Sequence, residues 1–263
     1  MALIHPSAIV DPRAQLDSTV EIGAYSIVGP DVRIGARTVI GPHVVIEGHT
    51  TIGEDNKFFQ FSSIGAAPQD KKWAGEPTRL EVGDRNTVRE FCTFNLGTAQ
   101  DAGVTRLGSD NWISAYVHLA HDCQVGSNTI FSNNAQLAGH VIVGDWAILS
   151  GYAGVHQFCK IGAHAFIGMY TSLTQDVPPF VLVSGNPAGA RGVNIEGIKR
   201  RGFTRAQIDA IRAAYKLVYR SGLTLEEAKT ALAEAEAAGS DESAPQLRAF
   251  REFLGTASRG IVR

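Results

Sequence analysis

The sequence predicts a mainly β fold, a parallel β-helix followed by a small α-helical bundle, and three observations carry that prediction. Apolar residues recur every six positions over most of the chain, glycine follows many of them, and the pattern then gives way to helix-start signals. A period of six fits neither an amphipathic helix nor a simple alternating strand. It fits a solenoid in which each hexad is a short strand plus a corner, with the apolar residue inside and glycine at the tight corner. Three hexads close one triangular coil of 18 residues, and coils stack at about 4.8 Å, the spacing of paired strands.

The ladder starts at Ile4 and steps through Val10, Leu16, Ile22, Val28, Ile34, Ile40, Ile46, Ile52, Phe58 and Ile64. It fails at Asp70 and Glu76, resumes at Val82, Val88 and Phe94, slips by one residue, and runs in steps of six from Leu107 to Leu173. Every one of those slots holds Ile, Leu, Val or Phe, which chance does not produce in a chain that is 44% hydrophobic. Two segments leave the ladder, 66–81 and 95–106, and insertions in a solenoid become loops on one side, often the binding side. The first loop gathers Asp70, Lys71, Lys72 and Trp73, a mixture suited to a polar ligand. After Leu173 the pattern stops at Gln175-Asp176-Val177-Pro178-Pro179. Three capping boxes follow, Thr204-x-x-Gln207, Thr224-x-x-Glu227 and Ser243-x-x-Gln246, each opening an amphipathic stretch. The expected division is a β-helix over 1–190, and over 191–263 a helical domain that protects the end of the solenoid.

The bulk properties narrow the function. The 263 residues carry a net charge of −2, so the chain as a whole is not built for nucleic acid. No apolar run is long enough to span a membrane, and no signal segment opens the sequence, which predicts a cytoplasmic protein. Cys92, Cys123 and Cys159 form no CxxC pair and are expected to be buried thiols in a reducing compartment.

The candidate chemistry centres on His118-Leu119-Ala120-His121-Asp122-Cys123. One coil beyond His121 is Gly139 and two coils beyond is Gln157; His140 is one coil beyond Asp122, and His156 is one position short of the His121 column. His121, His140 and His156 are therefore expected close to one vertical line, outside the core. Asp122, as the next residue of a strand, is expected to face away from His121. An imidazole with a pKa near 6.5 suits a general base. Three histidines could instead bind zinc, as in the gamma-class carbonic anhydrases built on a similar solenoid, or merely pack an interface. Zinc is disfavoured because Asp122, Gly139 and Gln157 intermingle with the histidines. A flat solenoid face also invites a closed trimer with the column in a cleft between subunits.

Beyond these features the whole chain resembles the bacterial UDP-N-acetylglucosamine O-acyltransferases, a hexapeptide-repeat family. The resemblance rests on the hexads, Gly75-Glu76-Pro77-Thr78-Arg79, the HLAHDC stretch, Leu137-Ala138-Gly139-His140, Val155-His156-Gln157-Phe158 and the segment from Gly192 to Phe203. It implies a left-handed coil and transfer of a 3-hydroxyacyl chain from acyl carrier protein to the sugar 3-hydroxyl, the first step of lipid A synthesis. It implies His121 as general base, Asp122 orienting it, and the Gly139 N–H holding the oxyanion, a role often worth about 3 kcal/mol. Asp70, Lys72, His118, His140, His156 and Gln157 would contact the sugar and phosphates or the acyl end. Asn194, Glu196, Arg200 and Arg201 would bind the nucleotide, with no metal or organic cofactor.

The acidic carrier protein would meet a helical stripe of Arg201, Arg205, Arg212, Lys216 and Arg220, almost unrelieved by acid in the sequence. Met169, where long-chain members have glycine, implies a shorter acyl chain; Leu96 replaces the arginine usual before Gly97-Thr98 and puts any ligand role there in doubt. The related N-acyltransferases are expected to carry an extra N-terminal domain, whereas the hexads here begin at Ile4. A metalloenzyme and a non-catalytic scaffold are the remaining alternatives.

Overall fold

The inward slots decide the architecture. A computed structural model describes residues 2–263. Most strands are two residues long, and each pairs in parallel with its counterpart one coil away: Ile22 with Ile40, Val28 with Ile46, Ile34 with Ile52. They form three faces of a prism, sheets of 11, 9 and 8 strands. Slots from Ile22 through Leu173 are buried and stack into one continuous apolar column. Each such side chain contributes roughly 1.5–3 kcal/mol on leaving water. The first coil differs: Ile4 is 40% exposed, and Val10 and Leu16 are only half-buried, because a neighbouring coil covers them on one side only.

The corners correct one expectation. Apart from Gly65 (φ 81°), the glycines after the slots do not take the left-handed turn; at most corners non-glycine residues two positions further on do, among them Tyr25 (φ 59°), Arg37 (57°), Asp55 (57°) and Trp146 (63°). Glycine is needed for close stacking instead. A Cβ on Gly23 would lie 2.7 Å from the Gly41 carbonyl carbon, and one on Gly35 2.8 Å from that of Gly53. None of the left-handed corner residues is β-branched, the class that tolerates this conformation least. The conformation costs roughly 1–2 kcal/mol per residue, and stacking up the corners offsets part of it. Tyr25, His43, Phe61, Phe91 and Tyr116 form one ladder with ring centroids 4.8–5.2 Å apart. Inside a second corner Asn56, Asn86 and Asn111 bond in series, and Thr129 closes the series onto Asn111 Oδ1 at 2.6 Å.

Both insertions appear in the register. Ile52 pairs with Val82 and Val82 with Leu107, steps of 30 and 25 residues in place of 18. The first excess is two whole hexads and keeps the phase; the second is seven residues and produces the one-residue slip. Strands Ser63–Ala66, Arg79–Val82, Thr93–Asn95 and Val104–Leu107 reach into the segments expected as loops, so the loops proper are 67–78 and 96–103. The β-structure also outlasts the hexads. Val177 bridges to Ile161, and Val181–Ser184 pairs with Phe166–Ile167 before turning into an antiparallel strand, Gly189–Val193, that crosses the expected boundary at 190.

Four helices follow rather than three: α1 (Ile195–Arg200), α2 (Arg205–Tyr219), α3 (Leu225–Ala238) and α4 (Ala244–Thr256). Thr204 with Gln207 and Thr224 with Glu227 make reciprocal capping boxes. The third expected box does not form. Ser243 has helical backbone angles and its hydroxyl bonds back to Ser240, so it makes no side-chain cap, and a proline stands in the first turn. Phe203 and Phe250 seat the bundle on Phe180 of the last corner, and Val262 donates its amide to the Asp176 carbonyl. All three cysteines are buried and unpaired; burial pushes Cys92 and Cys123 up to about 12 and Cys159 to about 11. Among the described residues no helix is long and apolar enough to cross a membrane.

His164 lies at this junction, stacked on Phe180 with its Nδ1 unbonded. Burial, aided by the Arg201 charge, lowers its imidazole from 6.5 to about 4. The unfolded chain then takes up a proton that the folded chain refuses, so stability falls as the pH drops from about 6.5 to about 4. We expect His164→Phe to flatten that part of the stability curve, measured by denaturant unfolding across this pH range.

Candidate active site

His121 opens the corner after the strand His118–Leu119, and Asp122 follows it in the left-handed conformation at φ 61°. This geometry corrects the expectation that the two side chains diverge. They stand on a turn, where strand alternation does not apply, and His121 Nδ1 lies 2.9 Å from Asp122 Oδ2. Asp122 is 1% exposed. It also accepts the Thr98 amide at 2.9 Å and the Thr98 hydroxyl at 2.6 Å, while its own amide donates to Thr105 Oγ1. Burial alone would raise this carboxyl; the bonds from His121 and from the Thr98 hydroxyl and amide, with His140 close by, outweigh it and hold the group below its ordinary value. An ionised carboxylate only accepts, so His121 Nδ1 carries the proton and the neutral ring keeps its lone pair on Nε2.

Gly139 lies directly over that ring. A Cβ there would come within 2.5 Å of His121 Cε1 and 2.7 Å of Nε2, so the His121 ring can hold this position only against glycine. The Gly139 carbonyl accepts from Phe158, and its amide has no acceptor among the described residues. A free backbone donor and a free imidazole lone pair thus share one small volume. They open on a groove of about 740 Å³ whose walls include His118, His156, Gln157, Tyr152, Gly154 and Ser172. Burial, with His121 adding to it, holds the His118 imidazole below its ordinary value, and Thr93 Oγ1 lies 2.7 Å from its Nδ1.

The three histidines stand on three adjacent columns, within one residue of a single vertical line. His156 lies above Ala138 and lines the groove, whereas His140 stands above Asp122, stacked on Phe158 at 4.4 Å and bonded to Asp101 at 2.8 Å. His140 therefore sits behind the groove. The group that could approach a cation is His121, Asp122 and His140, with ligand atoms within 4.8 Å of one another. Its carboxylate accepts from Thr98 and His121, and the His140 Nδ1 is paired with Asp101.

Other expected ligand residues lie elsewhere in the chain. Asp70 accepts the Lys72 amide within the 67–78 loop, and neither side chain lines the groove; Gln69, which sequence reasoning missed, does. Asn194 is a correction: it is 5% exposed and serves as the N-cap of α1, bonded to Gly197 and to the His164 carbonyl. Glu196 pairs with Lys199, and Arg200 is exposed. Arg201 lies over the Trp146 ring at 5.1 Å, with Nη1 buried and unbonded, and burial lowers its pKa. Met169 is 62% exposed beside Tyr170 and is not a wall of the groove. Leu96 is buried against Gly48 and has no polar role. The α2 stripe is less basic than the sequence suggested: Asp209 bonds both Arg205 at 2.8 Å and Arg212 at 3.3 Å, leaving Lys216 and Arg220 outside its ion pairs.

A family model described as UDP-N-acetylglucosamine O-acyltransferase, domain 2, matches residues 176–262, and a bacterial transferase hexapeptide model matches 105–139. The acyl-[acyl-carrier-protein]–UDP-N-acetylglucosamine O-acyltransferase of Herminiimonas arsenicoxydans is 65% identical, and that of Thiobacillus denitrificans 61%, each over the full length of both chains. Among solved structures, LpxA from Acinetobacter baumannii is 46% identical with a TM-score of 0.94, covering 99% of this chain and 100% of that one. The UDP-N-acetylglucosamine acyltransferase of Francisella novicida is 40% identical with a TM-score of 0.95, covering 99% and 94%. A full-length match in both sequence and backbone places the prism among the left-handed β-helices, and the chain belongs to the UDP-N-acetylglucosamine O-acyltransferase family.

Proposed function

We propose that this chain transfers a 3-hydroxyacyl group from acyl carrier protein to the 3-hydroxyl of UDP-N-acetylglucosamine, the opening step of lipid A synthesis in the cytoplasm. The observation that carries the reading is His121 held between the Asp122 carboxylate and the Gly139 backbone at the head of the groove. In this mechanism Nε2 takes the proton of the sugar hydroxyl as its oxygen attacks the thioester carbonyl. The oxyanion is held by the Gly139 N–H, and the protonated histidine returns the proton to the departing thiolate. Asp122 stabilises the imidazolium that forms in between. No metal or organic cofactor takes part, since a neutral imidazole and a backbone donor supply both functions.

The substrate contacts assigned to His118, His156 and Gln157 fit the groove of one chain. Those assigned to Glu196, Arg200 and Arg201 belong to a different corner of the prism, on and after the helix that Asn194 caps and ties to the His164 carbonyl, with Arg201 donating to the Trp146 carbonyl. A site divided between two corners closes only when a second copy supplies the other half, which supports a homotrimer with active sites between subunits. Asp70, Lys72 and Met169 then act from the seam between copies, Met169 limiting the acyl chain. The carrier protein docks on α2 through Arg205, Arg212, Lys216 and Arg220 by charge complementarity.

Removing the base with His121→Ala should lower kcat by about 10²–10⁴-fold, the usual worth of positioned acid–base catalysis. Gly139→Ala should lower it comparably with thermal stability retained, because its backbone needs no positive φ and the added methyl displaces the His121 ring; full activity in either variant rejects the reading. Inactive His121→Ala and Arg201→Ala chains, co-expressed, should form mixed assemblies that regain activity, which a site contained in one chain would not allow. Reversing Arg212 and Lys216 to Glu should raise KM for the carrier-bound donor and leave KM for the sugar nucleotide unchanged, measured in steady-state assays.

A further inference from the structure

Asp122 occupies a corner position at which the residues one and two coils above, His140 and Phe158, stack on each other, with Phe158 45% exposed. Its carboxylate is nonetheless buried, because the 96–103 loop closes over it. Thr98 meets it with both of its donors, the amide on Oδ1 at 2.9 Å and the hydroxyl on Oδ2 at 2.6 Å, the oxygen that also receives His121 Nδ1. The neck of the loop fixes Thr98 in place. Arg79 donates to Gly103 and accepts from Gly97, and a Cβ on Gly97 would lie 2.2 Å from the Val104 nitrogen. Asp101 ties the far side of the loop to His140.

We propose that Thr98 is a positioning residue for the reaction, acting through Asp122 to set both the direction and the basicity of His121. The proposal rests on the reading of His121 as general base. A carboxylate held by one imidazole alone rotates and hydrates; two fixed donors leave its remaining acceptor direction pointing at His121 Nδ1. The same donors withdraw charge from Oδ2, so the imidazolium is stabilised less than a free carboxylate would stabilise it, and the base stays available at lower pH. The other titratable groups around His121 are His118 on the preceding strand, His140 at 5.0 Å from the coil above, His156 in the groove, and Asp101 behind His140. None of them replaces the Thr98 bonds to Asp122.

Thr98→Val and Thr98→Ala both delete the hydroxyl and keep the amide, so a folding defect in one leaves the other to be read; Thr98→Ser restores the donor. Loss of a charge-assisted hydrogen bond should lower kcat about tenfold, with KM for the sugar nucleotide within about twofold. The acid limb of kcat/KM should move up by about half a pH unit or more, with Thr98→Ser close to the unaltered enzyme. The His121 imidazole, titrated by NMR in the substrate-free protein, should shift in the same direction. An unmoved titration and acid limb in the Val and Ala variants would overturn the proposal. Because the NMR titration needs no turnover, it separates this failure from that of the base assignment, in which His121→Ala would keep its rate while the Thr98 variants still shifted the imidazole.

Discussion

The constraint on which the rest of the molecule depends is the vertical registration of one coil on the next. Two-residue strands bury little by themselves, and only when Ile22 stacks under Ile40 and Val28 under Ile46 does a continuous core form. Registration dictates the corners in turn. Most of the sharp turns put left-handed backbone at residues that are not glycine, and the stacked Tyr25, His43, Phe61, Phe91 and Tyr116 show how that cost is offset, each ring packing on the next coil's ring along the ladder.

The active site is a local use of the same rule. At an ordinary corner, stacking places a side chain over a side chain. At Gly139 the upper residue has none, so the His121 ring lies against bare backbone, and an amide that needs no partner for the fold becomes a donor available to substrate. One corner position away the seven-residue insertion supplies what the solenoid cannot, a lid of hydrogen-bond donors over a carboxylate that would otherwise face water. Registration sets the heights of the catalytic groups, and the insertion sets their electrostatics.

Much of this was legible in the sequence because a solenoid translates residue number directly into position. The hexads located the faces, the step of 18 placed Gly139 over His121, and the one-residue slip marked the second insertion. Where a residue's role depends on a partner outside its own column, number alone fails. Asp122 was expected to face away from His121 because strand alternation was applied to a turn. Asn194 looked available for a ligand until the His164 carbonyl and the Gly197 amide engaged it. The acid that relieves the α2 stripe, Asp209, is in the sequence, but only side-chain geometry joins it to both Arg205 and Arg212.

The sequence by itself determined the prism, the order of its coils, the helical end and the column in which the chemistry lies, since each follows from the period at which apolar side chains must enter one core. The tertiary structure alone decided the proton on His121 Nδ1, the burial and charge of Asp122, and the closure of Thr98 over it. Those features come from the 96–103 loop folding back across 24 residues of sequence to meet Asp122, a contact that no repeat period encodes.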